Sequence, residues 1–164
     1  MTVSATTPAR LLAAALAAAP FLAMAPGAAR AQDQGECQGE PSDAKLRVVV
    51  EGVRNAKGEM TATLYGADPA RFLKSKGELK VWRDPTHPPE QTLCVWLPGP
   101  GTYAVALYQD SKGNHHFDHG AFGPTEAYGF SRNPRLFFGP PSLGQTMFKA
   151  AEGETTVRVR LRYP

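Results

Sequence analysis

The 164-residue chain has little of the material from which recognisable active sites and binding arms are built. It has two cysteines, too few for a disulfide-dense scaffold or a four-cysteine zinc module. Its 18 basic and 15 acidic residues nearly balance, which leaves no polybasic arm for nucleic acid and no acidic tail. Neither a G-x-S-x-G elbow nor an H-E-x-x-H pair occurs, so two common hydrolase signatures are missing. Outside one segment near the start, no apolar run approaches the roughly 20 residues of a membrane-spanning helix. At this length a single domain is expected.

What is present begins with the N-terminus. Met1 to Arg10 carries Arg10 as its only charged side chain, the Ala/Leu run from Leu11 to Ala25 is broken only by Pro20, and Ala29-Arg30-Ala31 follows. This three-part order reads as a signal peptide over residues 1–31, cleaved between Ala31 and Gln32. The run is too short and too interrupted for a transmembrane span. No cysteine stands at the cleavage point, which argues against a lipoprotein anchor. Cleavage removes Arg10 and Arg30 and no acid, leaving 16 basic against 15 acidic residues and a charge of +1. The expected location is the periplasm or the exterior.

Export gives the cysteines a meaning. In an oxidising compartment Cys37 and Cys94 most simply pair, and closing a loop of that length stabilises by about 4 kcal/mol in the chain-entropy model. Two free thiols, one of them reactive, are the competing reading. A redox-active pair lacks its C-x-x-C spacing.

The mature chain reads as strands and turns. Residues 32–44 form a polar leader tied down mainly by Cys37, and residues 45–164 form the domain. Lys45–Val53 alternates, with Leu46, Val48 and Val50 on one face. After the turn Asn55–Gly58, Glu59–Tyr65 returns with Met60, Ala62 and Leu64 on one face, and the two runs suggest a hairpin. Asp68-Pro69 starts a short helical turn through Lys74, with Phe72 and Leu73 on its apolar side. Further strands are expected at Glu78–Arg83, Gln91–Leu97, Thr102–Tyr108, Gly144–Ala150 and Glu154–Tyr163. In the last, Val157, Val159, Leu161 and Tyr163 oppose Arg158, Arg160 and Arg162. The arginine row is either a stripe for an anionic partner or the solvated face of an edge strand. Tyr103, just after a turn glycine, suits a tyrosine corner whose hydroxyl bonds back to nearby backbone. Trp82 and Trp96 read as core or edge packing.

About seven short strands without a long amphipathic helix indicate an all-β fold, an antiparallel β-sandwich of prealbumin or immunoglobulin type. The stretch from Gln109 to Leu143 breaks the rhythm and is rich in aromatic residues. A loop this long is functional or disordered, and aromatic content argues against disorder. An ordered loop over one end or face of the sandwich is expected. Its Tyr128, Phe130 and Phe138 either stack on a sugar or hold a peptide, or staple the loop to its own sandwich. His115, His116 and His119 suit zinc or copper, with Asp110 or Asp118 completing a site. A strand-like path lets His116 and His119, or His115 and His119, converge. Ser131 lies in Gly-Phe-Ser-Arg, the wrong context for a nucleophile, and the carboxylate pair Asp118 and Glu126 is one any such loop contains.

Several of these motifs occur together. Leu97-Pro-Gly-Pro-Gly-Thr-Tyr-Ala-Val105 resembles the Leu-Pro-Pro-Gly-x-Tyr signature of prealbumin-like, carboxypeptidase-regulatory-like sandwich modules. With Val50–Asn55, Tyr108–Asp118, Gly123-Pro124, Tyr128–Ser131, Phe138–Ser142 and the Arg-Leu-Arg-Tyr end, the chain resembles the exported bacterial domain-of-unknown-function family 2141. The resemblance covers about Lys45 to Tyr163. It implies a loop of the form Asp-x-Asn-x-Asn-Gly-x-x-Asp, similar to a calcium loop. Asp110, Asn114 and Asp118 match it, and His116 offers its backbone carbonyl. Lys112 replaces an oxygen ligand and His115 replaces the turn glycine. The other reading is an Asx-type turn in which Asp110 and Asn114 bond their own backbone.

The expected function is therefore a non-catalytic, exported binding or accessory domain with its interaction surface on residues 110–142, facing an envelope protein, peptide or glycan. The alternatives are a protein or enzyme that holds calcium or zinc through Asp110, Asn114, His116, Asp118 and His119, and a purely structural envelope protein.

Overall fold

The computed structural model describes residues 1–2, 37–137 and 139–164. The expected signal peptide beyond Thr2, its cleavage point at Ala31/Gln32, and Phe138 lie outside the described residues. The fold below is that of the compact unit Gln32–Pro164.

Strand β1 (Ala44–Glu51) keeps Leu46, Val48 and Val50 fully buried, the period-2 pattern of a strand with one face in a core. Along the chain follow β2 (Glu59–Tyr65), β3 (Lys80–Pro85), β4 (Glu90–Trp96) and β5 (Gly101–Asp110). Then come the two-residue β6 (His119–Gly120) and β7 (Gly123–Pro124), β8 (Tyr128–Phe130), the single helical turn α1 (Leu143–Thr146), β9 (Phe148–Ala150) and β10 (Gly153–Arg160). One sheet has the order β10-β1-β4, and a second has β3-β2-β5-β8 with β9 also pairing β5. Leu46, Val48, Val50, Leu93 and Val159 of the first sheet meet Met60, Ala62, Leu64, Val105 and Leu107 of the second in one apolar cluster. The fold is an all-β sandwich. Each fully buried Val or Leu contributes roughly 1.5–3 kcal/mol of hydrophobic stabilisation, so this cluster dominates.

The faces expected for β1, β2 and β10 are the faces observed. Val48 stands opposite Val157 and Val50 opposite Val159 in the pairing of β1 with β10, which is parallel, while the other strand pairs are antiparallel. Three expectations change. The β1–β2 hairpin does not form: β1 pairs with β10 and β4, β2 with β3 and β5. The chain crosses between layers over residues 52–58, where Val53 N–H bonds the Pro89 carbonyl. Apolar alternation is the same whichever sheet a strand joins, so it could not reveal this. Gly144–Ala150 is not one strand. Gln145 Oε1 accepts the Ser142 N–H at 2.9 Å, a capping contact that starts α1, and only Phe148–Ala150 pairs as a strand. The stretch 109–143 also contains three short strands, β8 among them on the flank of β5.

The leader is held at more than its cysteine. Cys37 is disulfide-bonded to Cys94 of β4. Gln38 exchanges backbone bonds with Cys94 and Trp96, and its amide donates to Asp84 Oδ1 at 2.8 Å and to the Arg83 carbonyl. The leader thereby joins β4 of one sheet to β3 of the other. Ser42 Oγ adds a bond to the Leu97 carbonyl at 2.7 Å. At the opposite side β8 meets β10, and just past the end of β10 Tyr128 and Arg162 exchange backbone bonds. Gly129 permits that approach: a Cβ there would lie 2.6 Å from Val159 Cγ1 and 3.0 Å from the Arg160 carbonyl oxygen.

Tyr103 Oη donates to the Gly99 carbonyl at 2.8 Å, the expected corner. Trp82 is in the core and Trp96 is half-buried. Arg158 lies beside Glu51 and Glu90, Arg160 beside Glu51, and Arg162 donates to the Pro134 carbonyl. The arginine row is thus matched by acids of its own sheet and by loop backbone. No helix among the described residues is long and apolar enough to cross a membrane.

Candidate functional site

Two buried carboxylates hold the loop that follows β5. Asp110, with no exposed surface, ends the strand. Its Oδ1 accepts the N–H groups of Gly113 (2.7 Å) and Asn114 (3.2 Å), and its Oδ2 accepts that of His115 (2.7 Å). Carboxylates engaged this way rigidify a turn, because each bond is charge-assisted and shielded from water. Glu126, 3% exposed, accepts the Ser111 N–H on one oxygen and the Asp118 N–H on the other. Both ends of the segment 111–118 are thereby pinned from below. Glu126 has both oxygens on backbone amides, which is a scaffolding role.

Above this base the exposed groups pair among themselves. Lys112 Nζ donates to Asp118 Oδ2 at 2.6 Å, and the Asn114 amide donates to both Asp118 oxygens. These bonds, Lys112's first, hold the Asp118 carboxyl below the usual carboxylate range, and the bond to Asp118 holds the Lys112 ammonium above its own. Asn114 Oδ1 accepts the His116 N–H. The His119 ring nitrogen Nδ1 lies 3.0 Å from the Phe117 carbonyl oxygen. Asp110 and Asn114 therefore make the local turn bonds of the Asx reading. Of the five expected metal ligands, Asn114 and Asp118 touch, Asp110 accepts three backbone N–H groups, and His116 and His119 are exposed.

A different trio converges. Glu59 stands opposite Asp110 in the β2–β5 register, and His115, at a left-handed φ of 61°, folds back over them. Ligand atoms of Glu59, Asp110 and His115 lie within 4.8 Å of one another. Sequence reasoning missed Glu59 because only long-range strand pairing brings it there.

The aromatic residues divide in two. Phe130, 9% exposed, packs with Tyr65, Phe72, Ala104 and Leu143 on the outer face of the second sheet. Ser131 beside it donates to the Thr146 carbonyl at 2.6 Å and accepts the Val105 N–H, so its hydroxyl is a buried brace. Tyr108, Phe117 and Tyr128 are half-buried and run as a connected row. Phe117 stands 5.4 Å from Tyr108, 5.7 Å from Tyr128 and 4.6 Å from His119, and Tyr128 continues to Phe130 at 6.0 Å. Tyr108 and Phe117 were absent from the expected set. The outward alternation of Tyr108 in β5 was the available signal. Phe122 at the tip between β6 and β7 is fully exposed.

Residues 48–158 match a family described as an uncharacterized protein conserved in bacteria (DUF2141). No curated protein and no solved structure matches the chain.

Proposed function

From the premise that the chain belongs to this bacterial family of uncharacterized proteins, we propose that it is an exported binding or accessory domain without catalytic chemistry. Its interaction surface is the outer face built by residues 108–130 and the loop to residue 142. One observation carries the reading: three half-buried aromatic rings, Tyr108, Phe117 and Tyr128, are set in a row on a base pinned by two buried carboxylates. Rings held before a ligand arrives lose little entropy on binding, and their faces suit sugar rings or an extended peptide. The Cys37–Cys94 bond supports export, because such bonds persist in oxidising compartments.

The partner class is an envelope glycan or peptide. The test is NMR titration of the protein with soluble cell-wall muropeptides and with envelope-derived peptides. Shifts concentrated on Tyr108, Phe117 and Tyr128, and abolished by Tyr128→Ala, are expected. Shifts that map elsewhere, or binding untouched by the substitution, would refute the surface. Export is checked separately by fractionating cells that express the full chain and sequencing the mature N-terminus, expected at Gln32.

A further inference from the structure

We propose that Glu59, Asp110 and His115 form a site for a divalent transition-metal ion, with zinc the ion whose chemistry it fits. The site does not depend on the aromatic row. Three observations lead to it. The β2–β5 register sets Glu59 opposite Asp110, and the three N–H bonds to Asp110 pull residues 113–115 over the same spot. The result is one imidazole and two carboxylates with donor atoms within 4.8 Å of one another.

Glu59 Oε2 is buried and has no hydrogen-bond partner, although His115 Nε2 lies 3.3 Å away. A buried acceptor left unsatisfied is costly and calls for an ion, a water or a donor. Two ligands each about 2.0–2.1 Å from a tetrahedral zinc stand about 3.3 Å apart, which is the separation of Glu59 Oε2 and His115 Nε2. The Glu59 side chain is 38% exposed overall, which leaves a path from solvent.

Asp110 retains capacity for the ion. Its Oδ1 takes two N–H groups, whereas Oδ2 takes only that of His115, and one lone pair on Oδ2 stays available. The backbone bonds then serve as the outer support that orients a metal-binding carboxylate. Lys112, the cation that opposes a metal in this loop, directs its ammonium to Asp118 instead. Three protein ligands of mixed nitrogen and oxygen type leave a fourth position for water or a ligand atom, the arrangement of an open zinc site. Calcium fits poorly, since it requires six to eight oxygens.

The untagged, metal-stripped protein is titrated with Zn²⁺ against a chromophoric chelator, and Co²⁺ is added separately to read coordination from its visible spectrum. One equivalent of zinc and an intense tetrahedral cobalt spectrum are expected. His115→Gly and Glu59→Gln should each weaken zinc binding by at least about tenfold, the scale set by perturbing groups at a metal site. His116→Ala and His119→Ala should leave it unchanged. Glycine is at home at the φ of residue 115, so His115→Gly keeps the fold, and an unaltered melting temperature verifies that. Failure to bind one equivalent, or parental affinity in both His115→Gly and Glu59→Gln, overturns the proposal. So does loss of binding in His116→Ala or His119→Ala, which would place the ion on the outer histidines.

Discussion

Replacing Asp110 by Asn keeps the shape of the side chain and removes its charge. In the native protein this carboxylate accepts three backbone N–H bonds at 2.7, 3.2 and 2.7 Å with no exposed surface. An amide has one oxygen. If that oxygen keeps the bonds to Gly113 and Asn114, the NH₂ group faces the His115 N–H, donor against donor. One charge-assisted bond, worth about 1.5–3 kcal/mol, is lost, and the other two fall to the neutral value of about 1 kcal/mol each. Burying an amide costs less than burying a carboxylate, which returns part of the loss. The net expectation is destabilisation by about 3 kcal/mol. With a urea slope of about 1.5 kcal/mol/M for a domain of this size, the midpoint falls by about 2 M. Fluorescence of Trp82, buried in the core, reports the transition, and amide exchange at residues 113–115 should accelerate. A midpoint at the parental value would refute the reasoning: the loop would then be held by something other than Asp110.

Four further substitutions and one titration test other parts of the structure. Phe130→Ala should cost about 3 kcal/mol, since the ring is buried under the loop and cavities in such clusters close only in part; half-buried Tyr128→Ala should cost clearly less, and equal melting temperatures for Phe130→Ala and wild type would contradict the packing. Tyr103→Phe removes the bond to the Gly99 carbonyl and should lower stability by about 1 kcal/mol, read as a shift of the urea midpoint. Gly129→Ala drives a methyl into Val159 and the Arg160 carbonyl and should destabilise by about 1–3 kcal/mol; a neutral result would mean β8 and β10 are farther apart. Glu154 is held down to about 2 by its hydrogen bonds to Arg47 and then Lys45. Because the folded value is depressed, that contribution is present above pH 4.5 and is lost as the pH falls toward 2. It is a surface contribution, under about 1 kcal/mol, and NMR titration of its carboxyl in native protein should give a midpoint far below the ordinary range.

Much of the candidate site was legible one residue at a time. Asp110 and Asn114 stand in a turn sequence and make turn bonds, and Phe130 packs as one of the two readings expected. The half-buried row was only partly visible, because Phe117 looks no different in sequence from Phe122. In the structure one lies against Tyr108 and Tyr128 and the other faces solvent.

By itself the sequence determined which faces of β1, β2 and β10 turn inward, that the fold is all-β, that Cys37 finds Cys94, and that Tyr103 caps its turn. These follow from period-two alternation, from having only two thiols, and from a contact spanning a few residues, all of which are local or combinatorially trivial. Only tertiary structure decided that β1 and β2 lie in opposite sheets, and that Glu59 stands beside Asp110 while Lys112 turns away to Asp118. Strand pairing is chosen by the burial of whole faces across long stretches of chain. A charged side chain at a strand end takes whatever neighbours that choice brings.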